Sequence, residues 1–506
     1  MKNKIKRFFK KPWYPLLLSI FPVLSMYAAN IGEARLNVMI RPMLVLLLGT
    51  ILLYLVFRLL LRDWHRAAFV TAGWLILFST YGHLVILLKD KEIEIPSTNI
   101  LILWGVLAVL ILCLAILKKI QFGSAAASIN LLVIVLLIYP FYLVISNLMQ
   151  NFFFDRSVQT SVTMEIDLQL RAELPDIYYI IPDMYTRSDL MKTAYGYDNS
   201  DFIHFLEDYG FYVANCSQSN YMRTDVSVAS TLNLDYLQNL SDKFEPDTYS
   251  RRYLFEILKH SLVRKTLEEV GYQTIAYATG FPWSEFEDAD VFMAPSPLRT
   301  TITDFEQILM DTTLARLFDD YGLIDSFQVS SRHYSERTSY VFESIPELVE
   351  IPGPKFAFIH IINPHPPFVF GPNGEPTNPM DFHNDDDKIT KEFFAEGYIN
   401  QVQYVQSQLR EAITAILQNS KNPPVILLQG DHGPWMQSNN KRFWILSAYY
   451  LPNKTVDWYP TITPVNSFRI IFNQYLGSDY PLLPDKSYFS PIPYIYDFTY
   501  YSNPCK

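Results

Sequence analysis

Residues 425–435 read "VILLQGDHGPW". Four consecutive apolar residues and Gln429, ahead of Gly430, have the length and composition of a strand covered on both faces. Asp431 and His432 then stand side by side at its tip. A lone aspartate after a strand is ordinarily a turn or helix-capping residue, and a lone histidine is ordinarily just hydrogen-bonded. An acid and an imidazole together at the mouth of a buried strand read as ligands for a divalent metal.

Working outward, the same kind of run recurs. "DIYYIIPD" (176–183) is β-rich and ends in Asp183, and 273–279, 355–362 and 442–452 are further strand-like runs. Helical patterns alternate with them, at 200–210 and, as a long amphipathic stretch, at 396–418. Strands alternating with helices predict an α/β domain with a mostly parallel central sheet and flanking helices. In such sheets ligands gather outside the carboxyl ends of the strands. If their strands are neighbours, Asp183 and the Asp431–His432 pair converge there.

The first third is of a different kind. Apolar stretches at about 13–29, 41–61, 67–88, 99–117 and 127–148 are each near the roughly 20 residues that cross a bilayer. They are apolar all round, so they predict a five-helix transmembrane bundle over 1–148, not buried core helices or a signal peptide. "MKNKIKRFFKK" at the start, the link around Arg62 and Arg66, and Lys118–Lys119 are basic, which puts the N-terminus inside. Five crossings then place the rest outside: a juxtamembrane connector over 149–174, with Phe152–Phe154 suited to an interface, and an extracytoplasmic domain over 175–506. His83, inside the third span, is read as a packing or polar contact.

Charge divides the chain the same way. Residues 1–150 carry 15 Lys/Arg and 5 Asp/Glu, a net of +10, which leaves −20 for residues 151–506 in a chain of −10. An acidic distal domain argues against nucleic acid and tends to attract a cation. Of three cysteines, Cys113 lies in an apolar run. Cys216 and Cys505 are either a pair formed in an oxidising compartment or two free thiols. There is no C-x-x-C zinc pattern.

Four blocks then come in a recognisable order: "YYIIPDMY" (178–185), "SNYMRTDVSVASTLN" (219–233), "HIINPHPPF" (360–368) and "QGDHGPW" (429–435). In these the outer domain resembles the alkaline phosphatase superfamily, in its sulfatase-like branch. In layout the chain is similar to lipoteichoic acid synthases and phosphoethanolamine transferases, which also carry five membrane helices ahead of an extracytoplasmic catalytic domain. The resemblance implies that Asp183, Asp431 and His432 bind one divalent metal ion together with the hydroxyl of Thr224. Thr224 would be the nucleophile at the start of a helix, with Ser227 as the fallback. It implies a substrate or leaving-group role for His365. His360 is either a substrate contact or a buried strand histidine, Asn220 would point at the phosphate, and His383 is read as part of a solvated loop.

Absences narrow the chemistry. Sulfatases form their nucleophile in a C/S-x-P-x-R motif, and "RTDVS" lacks it. Two-metal members need a D-x-x-x-H and a late histidine; the chain has no such motif, and His432 is its last histidine. Manganese, magnesium or zinc suits this donor set, calcium less so. The expectation is a metal-dependent phosphotransferase or phosphodiesterase, multi-pass in a bacterial cell membrane. It would take a lipid donor and a cell-envelope glycan, a lipid or water as acceptor, and pass through a covalent phospho-threonine. The alternatives are a sulfatase-like hydrolase of phosphate or sulfate esters and a non-catalytic membrane-anchored binding module.

The C-terminal stretch from 464 is rich in Pro and Tyr and reads as loops and edge structure covering an apolar face.

Overall fold

The structure is a computed structural model. It describes residues 10–31, 34–91, 93, 95–117, 120–154, 174–248, 250–296, 302–377, 389–438, 440–492 and 494–505. Most of the 149–174 connector, His383, Lys118–Lys119 and the first nine residues lie outside these. The chain forms two compact units, Met1–Thr160 with Arg299–Ser330, and Ser161–Leu298 with Ser331–Lys506. Residues 299–330 therefore group with the N-terminal helices, whereas the sequence reading takes 175–506 as one outer domain. The cause is local: Phe305, on the short helix Asp304–Asp311, is buried in the hydrophobic cluster of the helical unit.

The helical unit contains α1 (Tyr14–Ala29), α2 (Ile40–Leu61), α3 (Trp64–Asp90), α4 (Ser97–Ile116) and α5 (Phe122–Phe154). Among the described residues four helices are long and apolar enough to cross a membrane, not the expected five. The exception is α1, whose 16 residues span about 24 Å at 1.5 Å per residue, against a hydrocarbon core of about 30 Å. The other helices turn large aliphatic side chains outward, as a lipid-facing surface does. Leu48 is 62% exposed, Leu59 77% and Leu132 59%.

The second unit is built on a seven-stranded sheet: β1 (Ile177–Pro182), β2 (Tyr212–Val213), β3 (Gln273–Tyr277), β4 (Val291–Met293), β5 (Lys355–Ile361), β6 (Val425–Gln429) and β7 (Ser447–Tyr450), in the order β2-β7-β6-β1-β5-β3-β4. Five neighbouring strands are parallel, and β7 and β2 are added antiparallel at one edge. The apolar runs decide this layering. Along β1 the side chains alternate between two cores: Ile177, Tyr179 and Ile181 face one, Tyr178 and Ile180 the other.

Helix α6 (Thr224–Leu232) covers the first face with Val226, Val228, Ala229 and Leu232. Helix α7 (Lys391–Asn419) covers the second with Tyr398, Val402, Val405, Leu409 and Ile413. Each such buried Val, Leu or Ile contributes about 1.5–3 kcal/mol relative to exposure. A small β8–β9 hairpin, Ser487–Phe489 with Thr499–Tyr501, closes the C-terminus. Ile495 and Tyr496 there join the first core. Cys216 and Cys505 form a disulfide, which settles the alternative the sequence leaves open.

Candidate active site

The three central strands carry the site. Parallel pairing sets Ile181 opposite His360 and Pro182 opposite Ile361 on one side of β1, and Ile180 opposite Leu428 on the other. Three residues further on, Asp183 and Asp431 emerge together at the carboxyl edge. Asp183 N–H donates to Ile361 O at 2.8 Å, which fixes where the β1 loop leaves the sheet. The Asp431 carboxylate accepts from Met184 N–H at 2.9 Å through Oδ1, leaving Oδ2 turned inward. Ser227 Oγ donates to Asp431 O at 2.8 Å, so the fallback hydroxyl is engaged in holding the ligand loop.

Gly430 permits this convergence. A Cβ there would come within 2.3 Å of Tyr185 O, a main-chain atom of the β1 loop.

Around the two acids lie three imidazoles. His432 Nε2 is 3.6 Å from Asp431 Oδ2 and 3.7 Å from Asp183 Oδ1. His360 Nε2 is 3.4 Å from Asp183 Oδ2. The ring of His365 lies edge-on to that of His432, with centroids 6.4 Å apart. His432 Nδ1 pairs with Gly433 O at 2.9 Å, and His365 Nδ1 with Pro366 O at 2.7 Å. A carbonyl only accepts, so each Nδ1 carries a hydrogen and each Nε2 is left free of it.

Thr224, the first residue of α6, puts its Oγ1 3.3 Å from His432 Nε2. The chain enters that helix from an extended Arg223. Asp225 in the first turn suits the helix dipole. The β-branched Val226 and Val228 are held helical by burial rather than by propensity.

The acids are buried and incompletely paired. Asp183 Oδ1, Asp431 Oδ2 and both ring nitrogens of His360 have no hydrogen-bond partner among the described residues. Asp183, His360 and Asp431 each offer a donor atom, all within 4.8 Å of one another. Buried unpaired carboxylate oxygens facing one another are costly without a cation, so this donor set fits a divalent metal. Burial works to raise the Asp183 carboxyl. The fields of His365, then of His360 and His432, outweigh it and hold the group below the usual carboxylate range.

Of the expected residues, Asp183, Thr224, His360, His365, Asp431 and His432 are brought together. His360 is the buried strand histidine of the two alternatives, and because its strand position is level with the end of β1 it stands beside Asp183. One placement differs from the sequence reading. Asn220 does not face the site: its side chain accepts from Val465 N–H and donates to Lys486 O, both at 2.8 Å, and it is fully buried. His83 lies outside this unit; its backbone N–H donates to Thr312 O.

The sequence reading passed over three residues that hold the loops. Tyr398 Oη donates to Met184 O and accepts from Thr186 N–H, which ties the Asp183 loop to α7. Gln401, one turn on, donates to Pro364 O and His365 O and accepts from Asn363 Nδ2 and Val369 N–H. Tyr334 Oη lies against Ile362 O and His365 O, and burial pushes its hydroxyl well above the usual phenol range.

Fold and site together define a sheet-edge centre in which a helix-initiating hydroxyl adjoins a buried acid–imidazole cluster. Among the solved structures on which the chain superposes are phosphoethanolamine transferases and sulfatases. The C-terminal periplasmic domain of the phosphoethanolamine transferase EptC from Campylobacter jejuni aligns at 12% identity, over 60% of this chain and 90% of that one, with a TM-score of 0.38. The integral membrane phosphoethanolamine transferase EptA from Neisseria meningitidis aligns at 11% identity over 86% and 88%, with a TM-score of 0.37. BT1596, a 2-O GAG sulfatase, aligns at 13% identity over 61% and 72%, with a TM-score of 0.39. No protein-family model and no curated protein matches the sequence. The functional reading rests on the site itself.

Proposed function

We propose that the protein is a membrane-anchored, metal-dependent phosphotransferase or phosphodiesterase that works through a covalent phospho-threonine at Thr224. One observation carries the reading: the Thr224 hydroxyl stands 3.3 Å from an imidazole nitrogen whose other nitrogen is fastened, beside two buried carboxylates with unpaired oxygens. A manganese, magnesium or zinc ion held by Asp183, Asp431, His432 and the Thr224 hydroxyl, with His360 alongside, would supply the positive charge that makes a threonine hydroxyl acidic enough to attack and that steadies anionic phosphate.

The chain's own groups do the rest. The Thr224 hydroxyl gives its proton to water as Oγ1 attacks and takes one back when it is freed; His432 Nε2, 3.3 Å away, is reserved for the ion. Thr224 Oγ1 bonds to the phosphorus of a membrane-lipid headgroup, and the bond from phosphorus to the lipid oxygen breaks. Cationic His365 gives its Nε2 proton to that oxygen and so becomes the base for the second half. It then takes the proton of an acceptor hydroxyl (a cell-envelope glycan, another lipid or water), which attacks phosphorus and frees Thr224. Tyr334 and Gln401 position His365 by holding its main chain.

The disulfide supports an oxidising location for this unit. With the basic N-terminus inside, that requires an odd number of crossings, so α1 must cross along with α2–α5. A 16-residue helix can do so with its flanking Trp13 and Lys11 at the interface. The location we propose is a bacterial cell membrane, with the catalytic unit outside the cytoplasm.

The test is to offer labelled phosphatidylethanolamine, phosphatidylglycerol and a sulfate ester to the full-length protein and search Thr224 peptides by mass spectrometry. A phosphorylated Thr224 with one phospholipid supports the reading. Undiminished turnover in T224A sinks it.

A further inference from the structure

Residues 302–325 follow the outer strands in sequence yet group with the helical unit. Helix Asp304–Asp311 opens with a capping box between Thr303 and Glu306. It is fastened to the bundle at two places. The Glu306 carboxylate pairs with Arg41 at the start of α2. On α3, His83 N–H donates to Thr312 O at 3.1 Å. A Cβ on the adjacent Gly82 would lie 2.1 Å from Asp311 O, so only glycine admits this approach.

The contact fixes a depth. Helix α3 has 27 residues, about 40 Å of rise, and Gly82 is about 12 Å below its Asp90 end. A hydrocarbon slab of about 30 Å centred on α3 begins about 5 Å below that end. The docking point is then about 7 Å inside it, the depth at which interfacial helices lie.

The segment exposes large apolar side chains, with Asp304 and Asp320 among them: Ile308 is 49% exposed, Phe318 48%, Tyr321 60% and Leu323 71%. Its charge is mainly acidic, with Asp304, Glu306, Asp311, Asp319 and Asp320 against Arg316 alone. Attraction to anionic headgroups is therefore not what would hold it.

We propose that residues 304–324 form an interfacial anchor, lying in the lipid leaflet at the Asp90 end of α3 with these side chains against acyl chains. The inference rests on α2–α5 spanning the membrane: a segment packed at that depth on the flank of a spanning helix has lipid as its surroundings.

The experiment uses the full chain in nanodiscs. Cys113, the one free cysteine among the described residues, is first changed to Ala. Leu323→Cys then carries an environment-sensitive fluorophore, and the lipids carry a nitroxide near the headgroup or near the chain end. The expected result is loss of most of the fluorescence to the shallow nitroxide and less to the deep one, equally in neutral and anionic lipid.

Val106→Cys, exposed near the middle of α4, is the control for spanning and is quenched by the deep nitroxide; the same fluorophore coupled to glutathione in the buffer is quenched by neither. Quenching at Val106→Cys with none at Leu323→Cys overturns the anchor alone, and so does an unquenched but water-shielded label, which marks a protein cover. Quenching confined to anionic lipid also overturns it. Failure at Val106→Cys overturns the spanning reading itself.

Discussion

Gly430→Ala perturbs one methyl group at the point where the site is assembled. Gly430 N–H donates to Leu446 O at 2.9 Å, and Leu446 N–H donates to Tyr185 O at 3.1 Å, so the loops after β1 and β6 are laced together through β7. The added Cβ would fall 2.3 Å from Tyr185 O, where ordinary contact begins at 3.4 Å. Both partners are main chain, so no side chain can swing away, and the loops must part by about 1 Å. Tyr185 is two residues past Asp183, and Gly430 is one before Asp431, so the displacement passes directly to the two carboxylates. Overpacking of this kind costs about 1–3 kcal/mol of stability, and a misplacement of about 1 Å at a reacting centre costs about 100-fold in rate. The assay is thermal unfolding of full-length protein with chelator and with added manganese, magnesium or zinc, alongside release of a labelled lipid headgroup. G430A is expected to unfold earlier, to lose most of its cation-induced shift and to turn over about 100-fold more slowly. A wild-type cation shift together with wild-type turnover would refute the convergence of these loops as the basis of the site.

Three further perturbations probe separate parts of the argument. Asp431→Asn keeps the Oδ1 acceptor for Met184 but removes one of two facing charges; with donor atoms within 4.8 Å of each other and an effective dielectric near 20, their repulsion is about 3 kcal/mol or more. The variant should therefore melt higher than wild type in chelator and show no cation shift, and a lower melting point in chelator contradicts the unpaired-carboxylate reading. Gln401→Leu strands three buried polar groups, Pro364 O, the Asn363 amide and Val369 N–H, while His365 O keeps Tyr334; at about 1–3 kcal/mol each and less than additively, stability and turnover should fall while the cation shift persists, because Gln401 bonds to none of the metal donors. Asp485 is raised by burial, against which its bonds from Thr463, Tyr459 and Asn466 do not prevail. A raised carboxyl stabilises the fold only when protonated, so its contribution is present at low pH and lost as pH rises through the folded value. Asp485→Asn keeps the acceptor without the charge, and its melting point should exceed wild type at neutral pH by a margin that shrinks towards pH of about 4; a margin independent of pH rejects this.

How much of this was legible in the sequence depends on how local each cause is. The apolar runs at 177–182, 355–361 and 425–429 are strands because nothing but a two-sided sheet buries them, and that could be read directly. That Asp183 and Asp431 close their strands could be read as well. Which strands are neighbours could not, because the order β6-β1-β5 joins segments far apart in the chain. The level of His360 depends on that register, so a histidine inside a strand pattern gave no hint that it stands beside Asp183. Asn220 misled for a related reason: its amide is used by the main chain of Val465 and Lys486. A polar residue four before the nucleophile looks like a site residue until those partners are known. The grouping of residues 302–325 with the helices was hidden too, since its determinants are one glycine and one phenylalanine in otherwise ordinary sequence.

The loop-holding residues of α7 were within reach, and the signal lies in the stripe. Tyr398, Val402, Val405 and Leu409 recur at helical spacing and are buried, and Gln401 sits within that stripe, fully buried. A glutamine inside an apolar stripe brings four hydrogen-bonding sites into a core, and these must be met by groups that have no other partner. Exposed loops can bond to water; loops drawn over a sheet edge into the protein cannot. Gln401 therefore implies that irregular main chain lies against α7 at this turn. Tyr398, three residues earlier on the same face, makes the same demand with its hydroxyl. One turn of helix thus holds both the Asp183 loop and the His365 loop, and its rigidity fixes their separation. Asp183 and His365 are placed by a single helix face, so their part of the geometry that Thr224 meets is set before any substrate arrives.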